Sequence, residues 1–377
     1  MPLNKVYILT NPLNHEGGIV NYYNLFLKYF KSDVITLKHG SIGSRSYLFY
    51  YPFLKRLLYP FYYLFDLLVY TLTLIFDRNI KIVQVSPSLI PVPLVRDALL
   101  VIIAKLLGKK VVVFYRGWKL PTYKKIADNR LLKYFFNTVF QKNNLQVVLA
   151  SSFREDLLNL KANKNNNIIV TTTAIDSTEI INEDLFKNSK LINVLFLGRI
   201  QNLKGVEELI DAIIALNENS QLLNFKFNIV GHENKKGYVN ELMSKLENNN
   251  VPADKVSFLG RLVGKDKFRL YASNDVYVLP SYTEGCPNSL LEALASGLFC
   301  ITTRVGALSD LIIPKENGLF VNVSDSKDLL KAFQYCFENP AYNKNRKANA
   351  QLYSEAFSIN KITQLFEAQY IKFLEKK

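Results

Sequence analysis

The chain has 377 residues with 49% hydrophobic content, close to the globular average, and at this length two domains are expected, each able to bury a core. Its formal net charge of +15 draws it towards anions, among them nucleotides, phosphates, anionic lipids and nucleic acid. Only Cys286, Cys300 and Cys336 occur, without a CxxC pair, which excludes a disulfide framework and a structural zinc site and fits a reducing cytoplasm.

In chain order, MPLNKVYILT reads as a first strand: it lacks the basic start, long apolar core and cleavage site of a signal peptide. Residues 47–76, YLFYYPFLKRLLYPFYYLFDLLVYTLTLIF, are the most apolar and aromatic part of the chain and approach the ~20 residues that span a bilayer. Pro52 and Pro60 break this run, Asp66 interrupts its second half, and a βαβ lobe has to run through it, so a spanning helix is rejected. Two readings remain, helices buried against a sheet or an interfacial membrane contact helped by Lys55 and Arg56.

KIVQVS, KKVVVFY and LQVVLA continue as strands, followed by the polar tract KANKNNN and the apolar run IIVTTTAID. Strand periodicity restarts beyond Lys190 with NVLFLG, FKFNIV, KVSFLG, DVYVLP and LFCITT. Short apolar runs alternating with helical patterns indicate βαβ units around parallel sheets buried on both faces. The expected fold is therefore α/β, with two Rossmann-like doubly wound lobes facing a central cleft. Residues 1–180 would form the first lobe and 181–357 the second, with a helix over 358–377 packing back on the first.

The loop after NVLFLG carries Arg199 and Lys204 ahead of a helix whose apolar positions Val206, Leu209, Ile210 and Ile213 share one face. Two cations at a strand's carboxyl end, beside a helix N-terminus, can clamp a diphosphate; they can equally be solvated loop residues. In VLPSYTEGCPNSLLEALASG a strand enters a loop and then a helix beginning near Pro287, proline being favoured at the first helical position. Glu284 precedes that helix and Glu292 lies about a turn inside it, so both carboxylates can accept hydrogen bonds from sugar or ribose hydroxyls. Alternatively, Glu292 is an ordinary exposed residue and Glu284 an acid favoured by the helix dipole. Gly306 and Gly318 read as turn glycines.

Together these residues resemble the retaining glycosyltransferases of the GT-B fold, specifically family four (glycosyl transferases group 1), over Asn193 to Gln334. The family's G-R-x(4)-K-G diphosphate loop is matched by Gly198, Arg199, Lys204 and Gly205, and its E-x(7)-E motif by Glu284 and Glu292. The resemblance implies that Arg199 and Lys204 bind the donor diphosphate, that Glu284 lies by the donor sugar and that Glu292 holds the nucleotide ribose. It also implies donor contacts from the backbone of Gly285, Cys286, Asn288 and Ser289, and from Pro287 through its carbonyl alone. Arg261 and Leu262 would cradle the base. In the first lobe, Gly17 and Gly18 resemble the family's glycine loop. Where many members have a histidine, this chain has Tyr115, Arg116, Gly117 and Trp118, so Arg116 is the candidate for contacts to donor sugar or phosphate. His15 and His39 lie off that position, and His39 reads as part of a glycine-serine turn.

The reading implied is sugar transfer from a nucleotide-diphosphate sugar to a glycan or lipid-linked acceptor in bacterial surface polysaccharide synthesis, at the cytoplasmic face. No D-x-D sequence occurs, so no metal or other cofactor is expected. A sugar-nucleotide epimerase of the same fold is the main rival, followed by a non-enzymatic binder of anionic ligands. Lysines dispersed among asparagines argue against a nucleic-acid partner.

Overall fold

The computed structural model describes residues 4–15, 17–42, 52–160, 167–181 and 191–376; the side chains of 52, 54–57 and 343 lie outside that description, as do residues 47–51 of the apolar run. The chain divides into two compact units, Met1–Thr172 with Ile359–Lys377, and Thr173–Ser358.

The first unit runs β1 (Asn4–Thr10), α1 (Gly18–Tyr29), β2 (Ile35–Ser41), α2 (Pro52–Phe76), β3 (Ile80–Val85), α3 (Pro91–Leu106), β4 (Lys110–Phe114), α4 (Leu120–Asp128), α5 (Arg130–Phe136), β5 (Leu145–Val148), α6 (Ser151–Leu160) and β6 (Ile168–Val170). Its strands form one six-stranded sheet in the order β2-β1-β3-β4-β5-β6, parallel throughout. Runs such as Val111, Val112, Val113 and Phe114 are buried, as a sheet covered on both faces requires.

The second unit runs β7 (Ile192–Leu197), α7 (Val206–Glu218), β8 (Phe225–Val230), α8 (Tyr238–Asn248), β9 (Val256–Phe258), α9 (Gly264–Ser273), β10 (Val276–Leu279), α10 (Asn288–Ala295), β11 (Phe299–Thr303), α11 (Leu308–Leu311), β12 (Gly318–Val321), α12 (Ser326–Glu338) and α13 (Arg346–Ala356). Its parallel sheet has the order β12-β11-β10-β7-β8-β9. On α7 the stripe Val206, Leu209, Ile210 and Ile213 is fully buried. Cys286, Cys300 and Cys336 are all buried free thiols.

The last helix, α14 (Ile359–Glu375), packs within the first unit. Its Tyr370 hydroxyl donates to Gln84 Oε1 at 2.6 Å, and Gln84 Nε2 donates to the Tyr23 hydroxyl at 3.1 Å. Gln84 is completely buried in β3, so this satisfied polar link ties α14 to both β3 and α1.

Four expectations need correction. The division falls between Thr172 and Thr173 rather than near 180, because the segment that follows packs with the second unit: Thr173 Oγ1 bonds the Cys286 carbonyl and Ile175 bridges Ser358. The prolines of the apolar run do not break it. Pro52 opens α2, where its missing N–H costs nothing, and Pro60 is carried inside the 25-residue helix. Asp66 does not interrupt the helix surface either, since it is turned inward and buried. His39 lies not in a turn but in β2, with Nε2 2.8 Å from Thr10 Oγ1; burial holds its imidazole below the usual histidine range.

Candidate active site

In the second unit the chain leaves β7 towards β8 on one side and β10 towards β11 on the other, so the loops after β7 and β10 diverge from adjacent strands. Such a switch point opens a crevice at the carboxyl ends of the strands. The loop after β7 carries Gly198, Arg199 and Lys204; the loop after β10 carries Glu284 to Pro287. The Tyr282 N–H donates to the Leu203 carbonyl at 3.0 Å and joins the two. Gly205 is left-handed, with φ 70°, and a Cβ there would lie 2.1 Å from the Pro280 carbonyl oxygen. Gly306 has a similar place: a Cβ would meet the Glu284 carbonyl oxygen at 2.3 Å, and the neighbouring Ala307 N–H donates to Gly285 O at 2.8 Å. These two glycines are what let three loops close on one another.

At this junction Lys204 Nζ donates to Glu284 Oε1, and Ser281 Oγ donates to the same oxygen at 2.8 Å. The Glu284 side chain is 8% exposed and Lys204 is 20% exposed. Two residues given separate tasks by their motifs thus form a single largely buried pair. The carboxylate holds the ammonium at the crevice. Arg199 is exposed on the same loop.

Glu292 lies on α10 and is not an ordinary exposed helix residue, its side chain being 12% exposed. Lys267 Nζ donates to Oε1 at 2.8 Å, and the Tyr271 hydroxyl donates to Oε2 at 3.0 Å. Burial, together with the Glu292 charge, pushes the Tyr271 phenol well up, so it remains a donor. Neither partner was singled out from sequence. The available signal was their spacing on α9, four residues apart on one helical face. A carboxylate offers about four acceptor positions, so Glu292 retains capacity for further hydrogen-bond donors.

Pro287 is the cap of α10 rather than its first helical residue. Its carbonyl accepts the Leu290 N–H at 3.1 Å, the first bond of the helix, and keeps a second lone pair for a ligand. The carbonyls of Gly285 and Cys286 are likewise engaged, by Ala307 and Thr173. The N–H groups of the first helical turn, at Asn288 and Ser289, have no intrahelical partner. The Ser289 hydroxyl is bonded to Tyr277 at 2.7 Å. Beyond β9, the Gly231 N–H donates to Gly260 O at 2.8 Å, which brings the loop of exposed Arg261 and half-buried Leu262 to the end of β8.

The first unit has its own switch point, between β1 and β3. Gly17, with φ 142°, caps α1, and a Cβ at Gly17 or Gly18 would meet nothing within 4 Å, so the backbone there is open to a ligand. Arg116, beyond β4, is buried, with its guanidinium 4.1 Å from the Tyr22 ring and 4.8 Å from Phe114. Its Nε and Nη1 have no hydrogen-bond partner among the described residues.

Sequence reasoning missed a cavity of about 140 Å³ at this switch point, lined by Thr10, Asn11, Ser86, Ser88, Arg96 and Asp97 among apolar groups. Asp97 is 3% exposed; Arg96 Nε donates to its Oδ1 at 2.7 Å, while Oδ2 has no partner among the described residues. Burial pushes this carboxyl up against the downward pull of Arg96.

Residues 192–339 match the family model described as glycosyl transferases group 1. The match covers most of the second unit, which is similar to a group 1 glycosyltransferase domain. A D-inositol 3-phosphate glycosyltransferase of Pseudarthrobacter chlorophenolicus is 31% identical over 151 residues, which is 40% of this chain and 35% of that protein. The chain therefore spans about a third of that relative's length. The Anabaena HepE protein, solved in complex with UDP, superposes over 98% of this chain and 100% of its own with a TM-score of 0.73 at 15% identity. The apo form of the lipopolysaccharide outer core galactosyltransferase WaaB covers 98% and 99%, with a TM-score of 0.66 at 14% identity. These structures show the fold, the two-unit GT-B arrangement of Rossmann-like sheets.

Proposed function

We propose that this chain is a retaining glycosyltransferase that moves a sugar from a nucleotide-diphosphate sugar to a glycan or lipid-linked acceptor in bacterial surface polysaccharide synthesis. The observation that carries this reading is the Lys204–Glu284 pair at the switch point of a unit similar to a group 1 glycosyltransferase domain. A polysaccharide setting is supported by the likeness to WaaB, and a nucleotide donor by that to HepE. The activity would operate at the cytoplasmic side, where nucleotide-sugars are made, and free buried thiols suit that compartment.

In this mechanism the bond between the anomeric carbon and the diphosphate oxygen breaks, and its electron pair stays on the diphosphate. Lys204 and Arg199 neutralise that charge as it develops, helped by the N–H groups at the start of α10. The acceptor hydroxyl attacks the anomeric carbon from the face the diphosphate leaves, and its proton passes to the departing phosphate. Glu284, held by Lys204 and Ser281, orients the sugar, while Glu292 holds the ribose. With cations serving the diphosphate and no D-x-D sequence present, transfer proceeds without a divalent metal.

A panel of nucleotide-sugars, followed first by thermal shift and then by product analysis, tests this. One donor should raise Tm, and Glu292→Ala should weaken its binding by about tenfold to a hundredfold, the worth of charge-assisted hydrogen bonds, with kcat little changed. No Tm response to any nucleotide-sugar would remove the donor assignment. With the donor alone a transferase at most hydrolyses it, whereas a changed sugar would identify the rival epimerase. Product formation should be the same after treatment with EDTA, and recovery of a lost rate by added metal would contradict the metal-free mechanism.

A further inference from the structure

Helix α2 is bound to the first unit by a narrow stripe. Asp66, Tyr70 and Leu74 are buried, the Tyr63 hydroxyl donates to the Arg96 carbonyl at 2.8 Å, and the Tyr70 hydroxyl donates to Leu100 O at 2.9 Å. The rest of its circumference is apolar and faces outward: over Leu58–Phe76 the mean hydropathy is 1.4, yet only 17% of that window is buried. Phe61, Phe65 and Leu68 are each more than half exposed. The surface continues across its neighbours. Val92 and Val95 protrude from α3, and Leu131, Tyr134 and Phe135 from α5. Lys105 at the end of α3 joins these helices by donating to the carbonyls of Thr138, Val139 and Lys142, in the turn that continues α5. Right-handed crossovers put α2, α3 and α4–α5 on one face of the sheet. The opposite face is closed by α1 and α14, whose Phe26 and Phe366 rings lie 5.2 Å apart.

Contiguous exposed apolar surface on this scale is rare on a monomer unless something docks there. By length and composition α2 could cross a membrane, but its connections forbid it. β2 before it and β3 after it both pair with β1, so the two ends of α2 cannot lie on opposite sides of a bilayer about 30 Å thick. The partner's chemistry is set by charge. Lys124, Lys125 and Arg130 are exposed on α4 and α5 beside Leu131 and Tyr134, and the chain carries +15 overall. A second copy would bring like charges together, whereas anionic headgroups would be attracted and aromatic rings would settle at their level.

We propose that the outer face of α2, α3 and α4–α5 is a docking surface for an anionic lipid bilayer, with α2 lying in the plane of the membrane. The inner side of α3 lines the first unit's cavity through Arg96 and Asp97, so a bilayer on its outer side would bring a membrane-held acceptor to that cavity. That last step rests on the transferase reading; the docking itself does not, and flotation measures docking alone.

The test is flotation of the full chain with phosphatidylcholine vesicles with and without phosphatidylglycerol. The wild-type protein should float with the anionic vesicles and far less with the neutral ones. Phe61→Ser/Phe65→Ser/Leu68→Ser should abolish flotation without lowering Tm, since these side chains are exposed. Lys124→Gln/Lys125→Gln/Arg130→Gln should weaken it by about a hundredfold, roughly fivefold per cation. Wild-type protein that stays at the bottom of the gradient with anionic vesicles would overturn the proposal. So would a dimer in sedimentation equilibrium that the serine variant converts to monomer, which would assign the face to a second copy.

Discussion

Replacing Lys204 with alanine is expected to lower kcat for sugar transfer by about 10²- to 10³-fold, since one preorganised charge at a developing anion is worth roughly 3 kcal/mol. Read from sequence, this change removes a loop cation and leaves the fold untouched; the ion pair adds a second consequence. Without Lys204, the Glu284 carboxylate, 8% exposed, keeps Ser281 as its hydroxyl donor and loses its cation. A buried charge stripped of its partner destabilises the fold, so Tm should fall together with the rate. Combining Lys204→Met with Glu284→Gln separates the two effects, because it removes both charges and keeps the volume. Tm should recover in that variant while transfer stays low. A wild-type rate in Lys204→Ala would take Lys204 out of the diphosphate site, and a recovered rate in the double variant would reduce the pair to a structural role.

Gly205→Ala is expected to be comparably severe, although no functional group is lost. An alanine at φ 70° costs about 1–2 kcal/mol in backbone conformation alone. Its Cβ would also sit 2.1 Å from the Pro280 carbonyl oxygen, a backbone atom that cannot turn aside. The loops after β7 and β10 must then separate, carrying Lys204 away from Glu284, so both Tm and transfer should drop sharply. Gly198→Ala is the matched control, because a Cβ there meets nothing nearer than side-chain atoms at 3.7 Å and should leave both near wild type. Equal behaviour of the two variants, measured by thermal melts and initial rates, would show that close packing of these loops is not what positions Lys204.

Much of the second unit could be read from its residues. Its strands are short buried runs, its α7 stripe has helical period, and the spacing from Arg199 to Gly205 and from Glu284 to Glu292 is local, so sequence order alone places each group at a strand end or helix start. The first unit was less legible. β2 carries Lys38, His39 and Gly40 on a sheet edge, where one-sided pairing removes the need for an apolar pattern, and so it passed as a turn. Pro52 and Pro60 signal breaks, yet the first falls at a helix start and the second is carried within α2, which packing against α3 supports.

By itself, the sequence determined that this protein is built from βαβ units, with two cations in the loop after one strand and two acids around the start of one helix. Periodicity, charge and motif spacing are properties of neighbouring residues, so they survive without coordinates. Only the tertiary structure decided which groups meet. Lys204 with Glu284 and Lys267 with Glu292 are separated by 80 and 25 residues, and each pair forms because the sheet order brings their loops or helices together. The same holds for the cavity around Asp97 and for the exposure of α2. Whether an apolar helix is covered depends on what packs against it, and hydropathy does not record that.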